Sequence, residues 1–470
     1  MSEHECEYKE RVQELEKRLE EQAAEIAEIK AELQKYQKPA KNSSNSNIPP
    51  SQDWKRKYPE RKKSERKTGG QPGHAGHHHP WVDDPDVIDP LYPETCEHCG
   101  GQTIEPLEQY SEARQEVELP PPKPRVTEYR RYHGRCCHCG KVSRGKFPEH
   151  LKAPVQLGAS LTPMIGYLKQ AHYLSHERIV EFFRDIFALS VSEGFVENRL
   201  EILKKELTPA YEALGKAIVQ EKVVGSDETG QRVNGKRRYQ WVFQSKRFCY
   251  FVGDASRKFE VIQTLFGDSF AGNWVSDRFA AQKKVKAKNH QDCLPHIDRA
   301  LKYAIEADED KTWATSLHTS LQKAMHYRKV QGDAFDPDKN QDVFRECEKI
   351  RQRMAALFEK PPPSKPAPPL REGEKKKKQQ KTESERLFGS LISQQEDMLL
   401  FLRDPDVPYD NNASERALRR PKIAQKVLGP FRSSEGAKRG SIFSSVFETA
   451  KRQCLNILDV FSGKTPLQFT

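Results

Sequence analysis

The sequence has no long hydrophobic run. No stretch approaches the roughly 18 to 20 consecutive apolar residues that a helix needs to cross a bilayer, so we expect no membrane segment. The N-terminal residues MSEHECEYKE are acidic and polar, and they lack the apolar core of a secretory signal. Both absences predict a cytoplasmic protein, in which the ten cysteines are thiols or metal ligands rather than disulfides.

Hydrophobic residues are also scarce in the chain as a whole. They make up 35% of the 470 residues, and the mean hydropathy is −0.86. These values are low for one compact globule, so we expect exposed or extended segments among about three domains. The formal net charge is +11. A basic surplus favours polyanionic partners, chiefly nucleic acid, although solvated surface explains such a surplus equally well.

An apolar heptad repeat predicts a coiled coil over residues 8–37. Its side chains step by three and four along one helix face, and Glu and Lys fill most positions between them. The seam comprises Val12, Leu15, Leu19, Gln22, Ile26, Ile29, Leu33 and Tyr36. A narrow seam between charged flanks favours a homo-oligomer over a single amphipathic helix that lies on its own domain.

Residues 38–85 are polar and then basic. KNSSNSNIPPSQD is a proline-broken linker, WKRKYPERKKSERK is densely basic, and TGGQPGHAGHHHP is rich in glycine and histidine. The segment is interpreted either as a flexible tether or as an arm that neutralises DNA phosphates and orders on binding. Its weak metal-ligand candidates are His74, His77, His78 and His79.

Two Cys-x-x-Cys-Gly knuckles predict a zinc ribbon over residues 86–150. The knuckle cysteines are Cys96, Cys99, Cys136 and Cys139. Four thiolates at this spacing suit a structural, tetrahedral Zn²⁺, and the glycine after each second cysteine allows a tight turn. The alternative is four buried or free thiols. The scattered cysteines elsewhere in the chain are interpreted as ordinary residues.

Residues 151–215 are predicted to be helical. SHERIVEFFRDIF begins at a serine cap and has an apolar face, ALSVS is a short break, and EGFVENRLEILKKEL is a second helix. Two helices around a short turn fit either a helix-turn-helix DNA-binding domain or a plain helical hairpin.

An α/β pattern follows at residues 216–299. KVVGSDETG is predicted as a strand that ends at Asp227, RYQWVFQS and RFCYFVGDA as further strands, and the Asn-Gly of RVNGKRR as a hairpin turn. SRKFEVIQTLFGD is predicted as a helix, GNWVSDRFAAQ as a strand that ends at Asp277, and DCLPHIDRALKYAIE as another helix.

The rest of the chain is mostly helical. Residues 300–405 are predicted as a helical insertion with a low-complexity loop, EKPPPSKPAPPLREGEKKKKQQK, that cannot pack a core. Residues 406–470 return to the α/β part. There Glu415 begins the helical stretch SERALRR, with Ser414 near its cap.

Asp227, Asp277 and Glu415 are the candidate catalytic residues. Carboxylates at neighbouring strand ends converge, and a helix glutamate beside them completes a trio of the oxygen ligands that Mg²⁺ prefers. Each acid taken alone is also explained as a turn cap among the 68 acidic residues. The order strand–Asp, hairpin, strand, helix, strand–Asp, helical insertion, helix–Glu is nevertheless the layout of an RNase H-like nuclease.

The chain resembles transposases of the insertion-sequence-66 family, bacterial enzymes with a DDE catalytic triad. The matching motifs run nearly end to end: the heptads, NSSNSNIPPSQD, GGQPGHAGH, the cysteine knuckles, SDETG, SDRFAAQ, CLPHIDRA, DNNASERALR and SSVFETAKR. The resemblance implies a multidomain α+β fold with a coiled coil, a zinc ribbon, a helix-turn-helix-like domain and an RNase H-like catalytic domain that carries a helical insertion.

The resemblance also implies a site and its partners. The triad falls on Asp227, Asp277 and Glu415, with two Mg²⁺ or Mn²⁺ ions as cofactors. The implied activity is DNA cleavage at the element ends followed by transfer of the strand to target DNA. Such elements often encode accessory proteins, which are further expected partners. The basic residues expected near DNA phosphates are Arg416, Arg419, Arg420, Lys422 and Lys426; the alternative for them is a solvated basic helix.

Two other function classes remain open at this point. One is a catalytically inactive, zinc-containing DNA-binding protein on a transposase scaffold, which predicts DNA binding without metal-dependent cleavage. The other is a structural zinc protein assembled through its coiled coil, which predicts that the three carboxylates lie far apart.

Overall fold

The computed structural model describes most of the chain, in two compact units. The described residues are 11–12, 14–26, 39–46, 48, 53, 73, 80–102, 105, 112–119, 122–309, 312–364 and 381–469. The larger unit comprises Met1–Arg56, Pro148–Val180 and Ser192–Thr470, and the smaller one comprises Lys57–Phe147 and Glu181–Val191. The described elements form a mixed α+β structure.

A five-stranded mixed sheet lies at the centre of the larger unit. Its strands are β3 Val223–Val233, β4 Lys236–Gln244, β5 Cys249–Asp254, β6 Phe270–Ser276 and β7 Ala287–Asp292. Their order across the sheet is β5-β4-β3-β6-β7. The first three strands in the chain pair antiparallel, whereas β6 and β7 run parallel to β3. The sequence pattern predicts all of these strands except β7.

Strand β3 continues past Asp227, so the prediction that it ends there is wrong. Asp227 pairs with Val242 of β4, and the hairpin closes at Asn234 and Gly235, whose φ angles are 48° and 71°. These left-handed angles confirm the predicted Asn-Gly turn. The strand is longer than expected because its antiparallel pairing with β4 continues beyond Gly225, where its parallel pairing with β6 stops.

Helices make up most of the remaining structure. They are α1 over residues 11–12 and 14–26, α2 Leu161–His172, α3 His176–Phe187, α4 Glu193–Ile218, α5 Glu260–Phe266, α6 Ala280–Lys283, α7 Leu294–Asp308, α8 Trp313–Gln331, α9 Gln341–Ala356, α10 Glu383–Leu391, α11 Asn412–Leu428, α12 Ser434–Arg452 and α13 Ile457–Phe461. Within the described ranges, no helix combines the length and the apolar character that crossing a membrane requires.

The helices predicted in residues 151–215 are present as α3 and α4. The break between them falls at residues 188–192, as expected, but α4 is longer than predicted and continues to Ile218. It packs against α2, α12 and β5, so it belongs to the unit that contains the sheet. A role of this region in binding DNA stays a prediction.

Both faces of the sheet are covered, and the alternation of side chains along β4 separates them. Trp241 and Phe243 are fully buried on one face, where the rings of Phe243 and Trp274 lie 5.3 and 5.1 Å from that of Phe266 in α5. The opposite face carries a second buried cluster, which comprises Val242, Cys249, Phe251, Ala417 and Leu418. Helix α11 therefore lies on the face of the sheet that bears Val242.

The helical insertion between β7 and α11 has its own core. Side chains of α7, α8, α9 and α10 pack together with the short turns Ile392–Gln394, Glu396–Met398 and Leu400–Leu402. This core also contains Val275 of β6, so the insertion is continuous with the sheet. The predicted helical character is confirmed, whereas residues 365–380 of the low-complexity loop lie outside the described residues.

The smaller unit contains a two-stranded antiparallel sheet, β1 His133–Arg135 and β2 Val142–Arg144, whose strands flank the second cysteine knuckle. Several predicted features fall outside the described residues of the chain. These are Ile29, Leu33 and Tyr36 of the heptad seam, the basic stretch 54–67, and His74, His77, His78 and His79.

Residues 39–46, predicted as part of a linker, dock on the unit that contains the sheet. Asn45 is 1% exposed, and its side-chain amide donates a hydrogen bond to Glu306 Oε2 of α7 at 2.7 Å. Asn42 and Asn45 also accept each other's backbone N–H with their side-chain oxygens, at 3.2 and 2.8 Å. This small turn fixes the chain against α7.

We expect Asn45→Ala to lower the free energy of unfolding by about 1–2 kcal/mol, because it removes the hydrogen bonds that the buried Asn45 side chain makes with Glu306 Oε2 and with the backbone N–H of Asn42. Thermal unfolding measures the loss. Ser44→Ala is the control, since Ser44 is exposed and bonds only within the turn. Equal effects of the two substitutions would show that the contact of Asn45 with α7 adds nothing to stability beyond the bonds inside the turn.

Candidate active site

Two aspartates lie at the same level on adjacent parallel strands. Gly225 of β3 pairs with Val275 of β6. Asp227 and Asp277 each follow two residues later, and Asp277 comes directly after Ser276, the last residue of β6. Parallel neighbours are about 4.8 Å apart, so this register places the two aspartates side by side.

Asp227 points toward the face of the sheet that helix α11 covers. It is paired with Val242, and side chains of directly opposed residues share one face of a sheet. Val242 packs against Ala417 and Leu418 of α11. The carboxylate of Asp227 and the first turns of α11 therefore lie on the same side.

The N-terminus of α11 is fastened to β3 by Asn411. This residue precedes the helix, and its side-chain amide donates to the backbone oxygen of Ser226 at 2.7 Å. The hydroxyl of Ser414 in turn donates to Asn411 Oδ1 at 2.6 Å. Ser414 lies near the cap, as predicted: Asn411 holds the cap position and Ser414 is inside the first turn. Both residues fix the position of Glu415 beside Asp227.

Gly225 permits this close contact between helix and strand. A Cβ atom on Gly225 would lie 2.5 Å from Gln244 Nε2, 2.9 Å from Ser414 Oγ and 3.0 Å from Asn411 Oδ1. All three distances are too short for a side chain to fit without movement. The absence of a side chain at residue 225 is thus a condition for bringing Glu415 to the aspartates.

His296 is a site residue that the sequence analysis did not single out. It lies in the first turn of α7, and its Nε2 is 3.1 Å from Glu415 Oε1. This hydrogen bond, followed by the charges of His296, Arg299 and Arg419, holds the pKa of Glu415 below its ordinary value although burial opposes the shift. In the sequence, His296 could have been recognised from its Cys-x-x-His spacing with Cys293 at the start of a predicted helix.

Asp227 has the opposite electrostatic environment. Burial, followed by repulsion from Glu228, Asp277 and Glu415, raises the pKa of Asp227 to about 8. Its Oδ1 accepts the backbone N–H of Glu228 at 2.8 Å, which offsets only part of this effect. A carboxylate with this much unbalanced negative charge around it is suited to a cation.

The donor atoms fit hard divalent ions. Asp227, Asp277 and Glu415 offer carboxylate oxygens, the ligands that Mg²⁺ and Mn²⁺ prefer. One oxygen of Asp277 is oriented by the backbone N–H of Phe279 at 3.0 Å. The donor atoms of the three carboxylates do not all lie close enough to hold one ion. Two ions about 4 Å apart, however, are bound by a more widely spaced set of ligands.

Cys293 also belongs to this region, although the sequence analysis interpreted it as ordinary. It precedes α7 and is fully buried, and its Sγ accepts the backbone N–H of Asn411 at 3.3 Å. Among the described residues, the only group of three potential metal ligands whose donor atoms all lie within 4.8 Å of one another is Cys293, His296 and Glu415.

The basic residues of α11 differ in their surroundings. Arg420 is engaged within the fold, since its Nε lies 2.8 Å from Glu448 Oε1 and its guanidinium lies over the ring of Phe447. Arg416 lines a cavity of about 1000 Å³. The other three predicted DNA contacts, Arg419, Lys422 and Lys426, are exposed.

The two cysteine knuckles form the same turn twice. Cys96 N–H donates to Gly101 O, and Gly100 N–H donates back to Cys96 O, both at 2.8 Å. The second knuckle repeats these bonds at the same distances with Cys136, Lys141 and Gly140.

Backbone amides of the knuckles point at their first sulfur atoms. N–H groups of His98 and Cys99 lower the pKa of Cys96, and those of Cys139 and His138 lower the pKa of Cys136. Thiols that ionise easily are good zinc ligands. The knuckles are thus individually shaped for zinc, although no three of these sulfurs lie within 4.8 Å of one another in the described residues.

Comparison with protein-family models identifies three parts of the chain. The model described as "Transposase IS66 family" matches residues 154–439, more than half of the chain. The model described as "zinc-finger binding domain of transposase IS66" matches residues 93–140, and a family of unknown function matches residues 3–80. The first match contains all three carboxylates, and the second contains both knuckles. Comparison with curated proteins gives no match.

We expect Gly225→Ala to destabilise the protein by about 1–3 kcal/mol, because the new methyl group forces α11 away from β3. Denaturant unfolding measures this change. Gly230→Ala is a matched control on the same strand, since a Cβ there meets no atom within 4 Å. If the two variants are equally stable, the close contact at Gly225 does not constrain the helix.

The metal-free protein is expected to lose stability as the pH rises from about 4 to about 8. Asp227 releases its proton near pH 4 when unfolded but near pH 8 when folded, so the folded state binds more protons between these values. The contribution is complete below about pH 4 and is lost through about pH 8. At about 1.4 kcal/mol per pKa unit it amounts to a few kcal/mol at most.

Unfolding in the presence of a chelator, measured at several pH values, tests this dependence. Asp227→Asn should flatten it, whereas Asp268→Asn, at an exposed position, should not. A pH slope that is identical in the wild type and in Asp227→Asn would contradict the assignment to Asp227.

Proposed function

The chain belongs to the IS66 transposase family, and we propose that it cleaves DNA at the ends of a mobile element and joins them to target DNA, with Asp227, Asp277 and Glu415 as the catalytic metal ligands. The register that sets Asp227 beside Asp277, with Glu415 held next to them by α11, is the observation that carries this proposal. The resulting unbalanced negative charge supports it further.

The topology of the sheet also supports a nuclease. Three antiparallel strands are followed by two that run parallel to the first. In chain order, Asp227 lies on the first of these strands and Asp277 directly follows the fourth. The glutamate follows after a helical insertion, on a helix that covers the sheet. This is the arrangement expected of an RNase H-like catalytic domain.

Divalent ions at these carboxylates would supply electrophilic stabilisation of the phosphate and an acidified water or 3′-hydroxyl. The residues of the chain have separate tasks. Glu415 stays ionised because of its hydrogen bond with His296. Asp227 and Asp277 each have one oxygen oriented by a backbone N–H, which preserves their positions before the ions bind.

Exposed cations on α11 are suited to DNA phosphates next to the carboxylates. Arg416, Arg419, Lys422 and Lys426 are the candidates that no described ion pair engages. Arg420, in contrast, stabilises the packing of α11 on α12 through Glu448. Substitution of the four exposed residues should therefore affect DNA binding, whereas substitution of Arg420 should affect folding.

The smaller unit is expected to hold a structural zinc ion. The family match at residues 93–140 and the two identical knuckle turns both support this function. In the proposed site, Cys96, Cys99, Cys136 and Cys139 supply four thiolates, which requires the two knuckles to face each other. The unit would then present a fixed surface to DNA.

Self-association through the N-terminal heptads is a further part of the proposal. The described seam residues of α1 are exposed: Leu15 is 53% and Leu19 is 66% accessible. An apolar stripe on a charged helix is stabilised when a second copy covers it. Two joined copies would match the two ends of one mobile element.

Glu415→Gln is expected to lower metal-dependent DNA cleavage by roughly a thousandfold or more, which is about 4 kcal/mol of transition-state stabilisation, because the amide is a poor metal ligand. DNA binding should persist. Cleavage and binding are measured on the same DNA, which carries the flanks of the gene.

Glu435→Gln provides the control, because Glu435 is an exposed residue of α12. Full cleavage by the Glu415→Gln variant would show that Glu415 is not a catalytic residue. DNA binding without cleavage by the wild-type protein would favour a DNA-binding protein that lacks nuclease activity.

A further inference from the structure

We infer that Cys293, His296 and Glu415 form a second metal site at the edge of the candidate active site, and that this site takes Zn²⁺ rather than Mg²⁺. The site is separate from the cysteine knuckles and from the two aspartates. Its existence does not depend on the proposed function, whereas its effect on catalysis, described below, does.

The local structure places the three ligands together. Cys293 caps the N-terminus of α7 and His296 lies three residues later, so both side chains lie on one face of the helix start. The first turn of α11 brings Glu415 against them, with 3.1 Å between its Oε1 and His296 Nε2. All three donor atoms lie within 4.8 Å of one another.

These distances are close to those of a bound zinc ion. Zinc lies about 2.0–2.3 Å from nitrogen, oxygen and sulfur ligands in a tetrahedron, so its ligands are about 3.3–3.8 Å apart. The His296–Glu415 pair already has nearly this separation. Cys293 needs a shift of about 1 Å or less, which a change in its side-chain torsion supplies.

The types of ligand atom determine which metal ion the site prefers. A sulfur and an imidazole favour Zn²⁺ over the hard ions that take oxygen only. The backbone N–H of Asn411 already donates to Cys293 Sγ, and hydrogen bonds of this kind orient the ligands of a bound metal ion. Three protein ligands leave a fourth position of the tetrahedron open to water.

Burial makes the zinc affinity of this site lower than that of the knuckles. It raises the pKa of the Cys293 thiol to about 12, so a zinc ion has to displace the thiol proton when it binds. The knuckle thiols Cys96 and Cys136, in contrast, have lowered pKa values. Zinc should therefore fill the knuckles first and the second site at higher concentration.

Because Glu415 belongs to both ligand sets, zinc binding at this site affects the proposed active site. A zinc ion bound to Cys293 and His296 occupies the Glu415 carboxylate that the ions of the proposed active site would share with Asp227 and Asp277. The carboxylate set of the proposed active site is then incomplete, so zinc at this position inhibits the reaction. This consequence rests on the proposed function.

The first test is the zinc content of the purified full-length protein. Wild-type protein, Cys293→Ala, His296→Ala and Cys347→Ala are equilibrated with the same buffered Zn²⁺ and analysed for bound metal. Cys347 is the control because it is a buried cysteine in the helical insertion, 2% exposed. Thermal unfolding of all four proteins shows whether each is folded.

Loss of one zinc per chain in Cys293→Ala and in His296→Ala, but not in Cys347→Ala, is the expected result. Co²⁺ loading should show the same pattern, as a loss of thiolate-to-cobalt absorption in Cys293→Ala. An unchanged zinc content in the folded Cys293→Ala and His296→Ala variants, or an equal loss in Cys347→Ala, overturns the proposal. Should Cys293→Ala fail to fold, His296→Ala alone decides, since His296 is only half-buried.

The second test is the ratio of DNA cleavage rates with and without Zn²⁺ at constant Mg²⁺, taken within each variant so that a changed basal rate cancels. At about ten times the zinc dissociation constant, the wild-type rate should fall about tenfold, and the Cys293→Ala rate should fall much less. Equal inhibition of both overturns the inhibitory role. Absence of cleavage in every protein would instead count against the proposed function, while the zinc content still decides the site.

Discussion

The contact between the start of α11 and strand β3 controls the geometry of the site. Asn411 binds the backbone of Ser226, the residue that precedes Asp227, and Gly225 leaves the space in which Asn411 and Ser414 lie. Glu415, which is almost 190 residues from Asp227 in the chain, is thereby held next to it. A helix packed only through Ala417 and Leu418 would be free to slide along the sheet; the polar contacts at its end fix its position.

The electrostatics of the site follow from that position. Glu415 is supported by His296 and ionises easily, whereas Asp227 is buried among other carboxylates and does not. The two carboxyl groups therefore differ in charge, because Glu415 has a basic partner and Asp227 has none among the described residues. The protein retains this unfavourable arrangement, which is what a site built to receive cations requires.

His296 lies beside both sets of potential metal ligands in this region. It supports Glu415 when the carboxylate faces the aspartates, and with Cys293 it forms a sulfur- and nitrogen-containing ligand set on the other side. The start of α7 is thus next to the active site in space, although it follows β7, the outer strand of the sheet. Under the proposed function, a single glutamate shared by two ligand sets would let the availability of zinc affect the metal-dependent reaction.

By itself, the sequence determined the strands that carry Asp227 and Asp277, the Asn-Gly turn, the helical insertion and the spacing of the knuckle cysteines, because these depend on neighbouring residues. It also indicated the three carboxylates, through the order of the elements. The tertiary structure alone decided that Asn411 fastens the start of α11 to β3, that β3 continues to Val233, and that Cys293 and His296 meet Glu415. These features arise from contacts between residues more than 100 positions apart or from pairing between strands, and local periodicity carries no information about them.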